Sequence, residues 1–200
     1  MLFVGVTGGI ATGKSLVTDM LKSGHGFAAL DADKIGKEVS QRPEVVGEIQ
    51  SKLGEDFVHA GQVDRKALGG KIFSDKAARA LLEGILHPLI GEEVEKKRKE
   101  LEKQGARAAF YDCPLLFEKG LESAVDKVLL VYSDEKTQIE RMAKNRGMDI
   151  EDARSRLAAQ DPIDSKVSKS DYVLYNDSGI EELREGVALF VELLMEGAEP

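Results

Sequence analysis

The sequence contains no tryptophan and a single cysteine, Cys113, in 200 residues. An internal disulfide is therefore excluded, and the three scattered histidines lack the spacing of a metal-ligand set. No apolar run reaches the roughly 18 residues needed to cross a bilayer, and the first residues lack the basic region of a signal peptide. These absences predict a cytoplasmic protein without a membrane partner.

Positive charge is also scarce, since 28 lysines and arginines face 36 acids and leave a net charge of −8. Nucleic acids and anionic membranes prefer a basic face, so neither is expected as the main partner. A local basic pocket for a small anion remains compatible with this balance. An apolar fraction of 42% over 200 residues predicts one globular unit with a buried core, and we expect a monomer.

Short apolar stretches alternate with helical patterns along most of the chain. Residues 2–7 are apolar and β-branched and stop at Gly8 and Gly9, which predicts a buried strand followed by a turn. Further strands are predicted at GFAALDA, RAAFYD, AVDKVLLVY and SDYVLYN, and a last helix is predicted over residues 180–194. The alternation predicts an α/β fold whose parallel sheet is covered by helices on both faces.

Two segments interrupt this alternation. Residues 37–104 are long, charged and helical in pattern, with no convincing strand, and residues 136–169 indicate two or three short helices. In the first segment we expect Pro88 to break a helix, because proline lacks an N–H group and clashes with the preceding turn. We interpret both segments as helical insertions on the α/β core.

The most specific motif is GVTGGIATGKSLV at residues 5–17, which contains the pattern G-x-x-x-x-G-K-S. In this pattern, backbone N–H groups and a helix N-terminus surround a phosphate, the lysine bridges the β- and γ-phosphates, and the serine binds Mg²⁺. Its position after a predicted strand and before an amphipathic helix supports a nucleoside triphosphate site. The predicted ATP-binding residues of this loop are Gly8, Gly9, Ile10, Ala11, Thr12, Gly13, Lys14 and Ser15.

The loop alone is compatible with switches, motors and kinases. A guanine-reading N-K-x-D is absent, and the one D-x-x-G match, residues 33–36, leads into a helical pattern. A kinase needs a carboxylate near the acceptor hydroxyl, mobile cations and a lid that excludes water. Asp31 and Asp33 follow the second predicted strand and can supply the carboxylate, although N-capping of the next helix explains them equally well.

Candidate cations lie in the second inserted segment, where residues 136–169 carry a net charge of +2. Arg141 and Arg146 lie late in a predicted helix, where they can bind phosphate or simply interact with the helix dipole. Asp112 ends a predicted strand and is expected to hold the Mg²⁺ shell through water. The role of His87 is left open, because an isolated histidine is more often structural than functional.

The chain resembles the dephospho-coenzyme A kinases over nearly its full length. The matching stretches, in order, are GVTGGIATGKS (5–15), DADKIGKEV (31–39), VDRKALGGKIFSD (63–75), LHPLI (86–90), PLLFE (114–118), QIERMAKNR (138–146), AAQDPIDSK (158–166) and DYVLYNDSG (171–179). The first stretch is specific by itself, and the ordered set of eight is highly specific.

This resemblance implies ATP-dependent phosphorylation of the ribose 3′-hydroxyl of dephospho-CoA, with Mg²⁺ as the metal. It also implies a three-layer α/β/α P-loop kinase fold with a parallel sheet. The implied parts are a core at about 1–36, 105–140 and 169–200, a substrate-binding insertion at about 37–104, and a lid at about 141–168.

The resemblance also implies roles for individual residues. Asp33, Lys14 and Arg141 become the catalytic set, with Asp33 activating the hydroxyl and Arg141 reaching the phosphates from the lid. Arg146 and Asn176 join the ATP site, Asn176 near the adenine. The residues implied on the acceptor side are Asp31, Lys37, Arg65, His87, Leu115 and Phe117.

The departures from the family pattern are modest. Ala11 and Thr12 replace a common Gly-Ser pair, and we expect the extra methyl groups to be tolerated. Lys37 replaces a usual arginine, so a bidentate phosphate contact becomes a point charge. A kinase for another small hydroxyl substrate and a nucleotide-binding regulator without turnover remain the alternatives that the residues alone leave open.

Overall fold

The computed structural model describes residues 1–196 and contains a five-stranded sheet. The strands in chain order are β1 (Leu2–Gly8), β2 (Ala28–Asp31), β3 (Val58–His59), β4 (Gln62–Val63), β5 (Ala108–Asp112), β6 (Lys127–Tyr132) and β7 (Tyr172–Tyr175). The helices are α1 (Lys14–His25), α2 (Ala32–Ser40), α3 (Pro43–Leu53), α4 (Arg65–Ser74), α5 (Lys76–Lys103), α6 (Glu135–Arg146), α7 (Ile150–Ala158), α8 (Ile163–Val167) and α9 (Ile180–Glu196).

The sheet has the order β2-β5-β1-β6-β7, with β1 in the centre. β1 pairs in parallel with both β5 and β6, and β6 pairs in parallel with β7. Residues Phe3 to Gly8 are buried, as expected for a central parallel strand whose two faces are both covered. The α/β prediction and all five of its strands are confirmed.

The core of this sheet is built by apolar residues from β1, β5, β6, β7, α1 and α9. The ring of Phe110 in β5 meets the ring of Phe27 edge-on, with centroids 5.3 Å apart, and lies 6.1 Å from the ring of Phe190 in α9. The predicted final helix is confirmed, since α9 buries Leu183 and Val187 at the expected helical spacing. The parallel strands therefore end at one edge, where the following loops begin.

Contacts divide the chain into two compact units. The first unit consists of Met1–Leu30 and the chain from Leu101 onward, and we call it the sheet-containing unit. The second is Asp31–Glu100, and we call it the helical unit. The second unit is mostly helical, as predicted, but it also contains the antiparallel pair β3 and β4. Ala60 and Gly61 join these strands with φ values of 51° and 74°, the backbone of a tight two-residue hairpin turn. A strand of two residues is too short to show the alternation of apolar and polar residues that predicts a strand from sequence.

The predicted helix break at Pro88 is wrong, because α5 continues through it for 28 residues. Proline at this position leaves the carbonyl of Gly84, one turn earlier, without its helical donor. Pro88 and Gly84 are both exposed, so water can hydrogen-bond to that carbonyl. Leu82 and Ile85 are buried on the other side of the helix and favour its continuation.

The segment after β6 forms three short helices, α6, α7 and α8, in agreement with the predicted two or three. Asp134 caps α6 by accepting a hydrogen bond from the N–H of Thr137, and this interaction holds the pKa of Asp134 below its usual value. Gly147 ends α6 in the left-handed conformation, with φ of 60°. None of the helices within residues 1–196 combines the length and apolar character that crossing a membrane requires.

One ion pair in the sheet-containing unit is almost completely buried. Lys166 in α8 is inaccessible to solvent, and its Nζ lies 2.6 Å from Oε1 of Glu118, in the loop after β5. Two charges that have lost their hydration must compensate each other, so removal of one partner leaves the other uncompensated. The pair fixes α8 to the loop that follows β5.

We expect Lys166→Met to lower the free energy of unfolding by about 3–5 kcal/mol, because it leaves the Glu118 carboxylate buried without a counter-charge. Equilibrium urea unfolding measures the change. The double variant Lys166→Met, Glu118→Leu is expected to recover most of the loss.

Lys127→Met is the matched control, because the Lys127–Asp171 pair is largely exposed and should contribute little. A Lys166→Met protein as stable as the wild type would contradict the importance of the buried pair.

Candidate active site

The predicted phosphate loop connects β1 to α1 at the carboxyl edge of the sheet. Gly13 caps the helix with φ of 91°, and Ala11 also adopts a positive φ, 61°. A Cβ added to Gly8 would lie 2.7 Å from the carbonyl oxygen of Val131 and from Oγ1 of Thr12, so glycine is required there. The motif requires such a backbone to direct loop N–H groups and the N-terminus of α1 at a bound phosphate.

Hydrogen bonds within the loop and from Asn176, which follows β7, hold Thr12 in place. Thr12 is buried, and its N–H and hydroxyl groups both donate to the carbonyl oxygen of Gly9, at 3.3 and 3.0 Å. Nδ2 of Asn176, which follows β7, donates to the carbonyl oxygen of Thr12 at 2.8 Å. A side chain at Gly13 would collide with this amide. Asn176 therefore lies directly against the phosphate loop.

Arg141, on α6, also lies against the loop. Its guanidinium donates to Oγ of Ser133 at 2.9 Å, to the carbonyl oxygen of Asn176 at 2.7 Å and to that of Ala11 at 3.4 Å. Ser133 is completely buried and donates to the carbonyl oxygen of Asn176 at 2.7 Å. These contacts hold the positive charge of Arg141 against the carbonyl oxygens of Ala11 and Asn176. Contact of Arg141 with phosphate stays a prediction.

Lys14 and Asp112 form an ion pair beside the loop. Oγ1 of Thr18, one turn further along α1, lies 2.9 Å from the other carboxylate oxygen of Asp112. The side chains of Lys14 and Asp112 are each only 13% exposed. The pairing arises because β5 neighbours β1, which places the end of β5 next to the start of α1. Lys14 thus has an anionic partner within the protein.

Ser15 and Asp112 are the oxygen ligands available for a divalent cation. Ser15 is exposed in the first turn of α1, and Asp112 ends β5. No cluster of three or more His, Cys, Asp or Glu side chains suited to a metal occurs in the described part of the chain. Magnesium bound with a nucleotide needs only one or two protein oxygens, since phosphate and water complete its octahedron. Ser15 and Asp112 fit that requirement.

The two acids at the junction of β2 and α2 have different roles in the local structure. Asp31 is the N-cap of α2, where its Oδ1 accepts a hydrogen bond from the N–H of Lys34 at 2.9 Å. Asp33 is exposed in the first turn, and its carboxylate forms no hydrogen bond or ion pair with any residue from 1 to 196. The capping interpretation therefore applies to Asp31, and Asp33 is available for another role.

The other predicted acceptor-side residues lie mostly on exposed positions. Within the helical unit, Lys37 is in α2, Arg65 begins α4 and His87 is in α5, all exposed. In the sheet-containing unit, Leu115 is 37% exposed, whereas Phe117 is buried, with Nζ of Lys169 at 5.9 Å from its ring centroid. Arg146 is exposed as the last residue of α6. Their roles in binding substrate stay predictions.

Several polar residues around the loop were missed by sequence reasoning. Thr18, Ser133, Gln138 and Gln160 all contact the loop or its immediate partners. Ser133 carried a local signal, because it directly follows a buried strand whose end lies at the binding edge, and Gln138 and Gln160 lie in two of the stretches that resemble the family. Gln138 and Gln160 also line a cavity of about 490 Å³ between the loop and α6–α8.

Comparison with known proteins decides which kinase-like family the loop belongs to. The family model of dephospho-CoA kinase matches residues 2–182. The chain belongs to the dephospho-CoA kinase family. Dephospho-CoA kinase from Corynebacterium glutamicum is 38% identical over 197 residues, which cover 97% of this chain and 98% of that protein. The Wolinella succinogenes enzyme of the same name is 36% identical over 96% of this chain and 94% of that protein.

Solved structures agree with this membership. The crystal structure of TT1252 from Thermus thermophilus has a TM-score of 0.84 and 32% identity, covering 97% of both chains. Dephospho-CoA kinase from Campylobacter jejuni has a TM-score of 0.75 and 28% identity over 98% of both chains. Shikimate kinase from Acinetobacter baumannii, at 14% identity and a TM-score of 0.53, shares the fold alone, with coverage of 98% of this chain and 94% of that one. The predicted family and the P-loop kinase fold are confirmed.

The kinase holds Ala11 in a conformation that glycine adopts more easily. A left-handed residue with a Cβ costs about 1–2 kcal/mol, part of which is offset because alanine loses less backbone freedom on folding than glycine. We therefore expect Ala11→Gly to raise the free energy of unfolding by about 0.5–1 kcal/mol in urea titrations.

The same substitution at Ala80, an exposed helical position in α5, is the matched control and should cost about 1 kcal/mol. If Ala11→Gly destabilised the kinase as much as Ala80→Gly does, the positive φ of Ala11 would not be a source of strain.

Proposed function

We propose that this chain transfers the γ-phosphoryl group of ATP to the ribose 3′-hydroxyl of dephospho-CoA, giving coenzyme A and ADP in the final step of coenzyme A synthesis. The observation that carries the proposal is a complete phosphate loop, with Lys14 and Asp112 paired beside it, in a chain that belongs to the dephospho-CoA kinase family. We place the reaction in the cytoplasm and expect a monomer to carry it out.

Binding of ATP exchanges the partner of Lys14. The loop N–H groups and the N-terminus of α1 receive the β-phosphate, and Lys14 leaves Asp112 to bridge the β- and γ-phosphate oxygens. Asp112 stays held by the hydroxyl of Thr18 during this exchange. The lysine therefore moves from one anionic partner to another, which keeps its charge compensated throughout.

Magnesium is the cation that we propose for the site, bound by the hydroxyl of Ser15 and, through water, by Asp112. When bound with ATP, Mg²⁺ neutralises charge on the β- and γ-phosphate oxygens. Once Lys14 contacts the phosphates, a carboxylate oxygen of Asp112 would be free to hold a water molecule bound to the cation. The ion pair and the metal site thus use the same carboxylate in succession.

Asp33 is proposed to orient the 3′-hydroxyl and to accept its proton as the phosphoryl group transfers. Its exposed carboxylate has no partner within residues 1–196 that would compete for this role. Arg141 holds positive charge at the loop carbonyls, and we propose that it and Arg146 contact the phosphates when the α6–α8 segment closes on ATP.

Acceptor binding is proposed for the six residues that the family resemblance implies. Asp31, Lys37, Arg65 and His87 would contact the polar parts of dephospho-CoA, and Leu115 and Phe117 its apolar parts, while Asn176 lies beside the adenine of ATP. Closure that requires the acceptor keeps water from the γ-phosphate.

The first test is the dependence of ADP formation on dephospho-CoA, followed in a coupled spectrophotometric assay. We expect activity only with this acceptor. Asp33→Asn should lower kcat by about 10²–10⁴-fold, because it removes the proton acceptor. Lys14→Ala should lower kcat by about 10²–10³-fold, because it removes charge stabilisation in the transition state.

Asp56→Asn, at an exposed acid of the helical unit, is the matched control for Asp33→Asn and should leave the rate unchanged. Equally rapid ATP hydrolysis without acceptor, or full activity of Asp33→Asn, would contradict the proposed reaction.

A second test concerns Asp112. Asp112→Asn keeps a hydrogen-bond partner for Thr18 but removes the charge, so the Mg²⁺ concentration for half-maximal rate should rise about tenfold. A magnesium titration at saturating ATP measures this. Asp19→Asn, at an exposed acid in α1, should not alter the titration, and an unchanged midpoint in Asp112→Asn would exclude Asp112 from the metal site.

A further inference from the structure

The segment Gln160–Lys166, which follows α7 and includes most of α8, contacts three separate parts of the sheet-containing unit. Gln160 reaches the phosphate loop, Asp164 reaches the end of β6, and Lys166 reaches the loop after β5. We call residues 160–166 the connecting segment. Its neighbours include two parts to which the proposed function assigns substrates: the phosphate loop and the loop carrying Leu115 and Phe117.

Gln160 makes the contact with the phosphate loop. Its Oε1 accepts a hydrogen bond from the backbone N–H of Ile10 at 3.0 Å, across 150 residues of sequence. Ile10 lies immediately before Ala11, whose φ of 61° is unfavourable for a residue with a Cβ. The side chain therefore fixes the orientation of a loop N–H group next to the strained residue.

Gln138 supports the neighbouring residue of the loop. It is only 1% exposed, and its Nε2 donates to the carbonyl oxygen of Ser133 at 2.8 Å. Its Oε1 has no hydrogen-bond partner within the described chain and lies 2.8 Å from the position that a Cβ on Gly9 would take. Gln138 thus occupies the space next to Gly9 where a side chain at that position would lie, and it limits movement of the loop toward α6.

The connecting segment is itself anchored, so that Gln160 is presented from a fixed position. At its end, Lys166 is buried in the ion pair with Glu118. In its middle, Asp164 accepts a hydrogen bond from the Tyr132 hydroxyl at 2.8 Å, an interaction that raises the pKa of Tyr132 to about 12. Just before Asp164, Ile163 is buried, and its Cδ1 lies 3.5 Å from the position that a Cβ on Gly9 would take.

We propose that Gln160 is a positioning residue for ATP binding, which holds the Gly9–Ala11 half of the phosphate loop in its binding conformation through the N–H of Ile10. The carbonyl oxygens of the loop have other partners: that of Thr12 accepts from Asn176, that of Gly9 from Thr12, and that of Ala11 from Arg141. Loss of Gln160 lets Ala11 relax from its left-handed conformation, so the loop must be reordered each time ATP binds. We therefore expect a loss of affinity for ATP and not for the acceptor.

The proposal rests on the proposed function only for the identity of the acceptor, because ATP binding is measurable without one. The test variant is Gln160→Met, which keeps the length of the side chain and removes the acceptor oxygen. The matched control is Gln104→Met, at an exposed glutamine after α5. Both are compared with the wild type as full-length chains.

Isothermal titration calorimetry with Mg²⁺ and an ATP analogue whose β–γ bridge cannot be hydrolysed gives the nucleotide Kd. We expect Gln160→Met to raise this Kd about tenfold, equivalent to about 1.4 kcal/mol, and to raise KM for ATP similarly. We expect KM for dephospho-CoA to stay within about twofold of the wild-type value. In ¹⁵N-labelled protein without nucleotide, the Ile10 amide proton should move upfield, as expected on loss of a hydrogen bond.

An unchanged Kd in Gln160→Met overturns the proposal, and so does an equal rise of both KM values, which would indicate a general structural role. Tyr132→Phe gives a second check, because it removes the hydrogen bond that anchors Asp164 and should weaken ATP binding with the same selectivity. A wild-type protein that binds ATP but does not phosphorylate dephospho-CoA contradicts the proposed function, while the calorimetric comparison still decides the role of Gln160.

Discussion

The phosphate loop must present unpaired backbone N–H groups, and its shape therefore depends on side chains from distant segments. Asn176 binds the carbonyl of Thr12, Arg141 binds that of Ala11, and Gln160 binds the N–H of Ile10. The parallel pairing of β1 with β5 and β6, and of β6 with β7, brings the ends of these strands to one edge. Sheet topology thus determines which side chains can hold the loop.

The same edge of the sheet holds the lysine of the phosphate loop in an ion pair. Lys14 and Asp112 are both largely buried, and their pairing avoids an isolated charge next to the sheet. In the proposed reaction, ATP offers phosphate oxygens to Lys14, and the carboxylate of Asp112 becomes available to the cation. The charge that ATP adds to the site would then be compensated by Lys14, by the N-terminus of α1 and by the cation.

Much of the fold was predictable because its signals are local. A buried β-branched strand, a glycine-rich turn and an amphipathic helix in succession are specific to β1, the phosphate loop and α1. The Ala60–Gly61 hairpin was not predictable, since its strands have two residues each. Continuation of α5 through Pro88 depends on solvent at Gly84, which no local pattern reveals. The contacts of Thr18, Ser133 and Gln160 join residues 94, 121 and 150 positions apart, so only the folded sheet defines them.

The most direct measurement is a ³¹P NMR spectrum of ATP, Mg²⁺ and dephospho-CoA before and after incubation with the protein. Direct transfer predicts that ADP and a new phosphomonoester on the acceptor appear in equal amounts, with no inorganic phosphate. Inorganic phosphate released at the same rate with and without dephospho-CoA would contradict phosphoryl transfer to this hydroxyl.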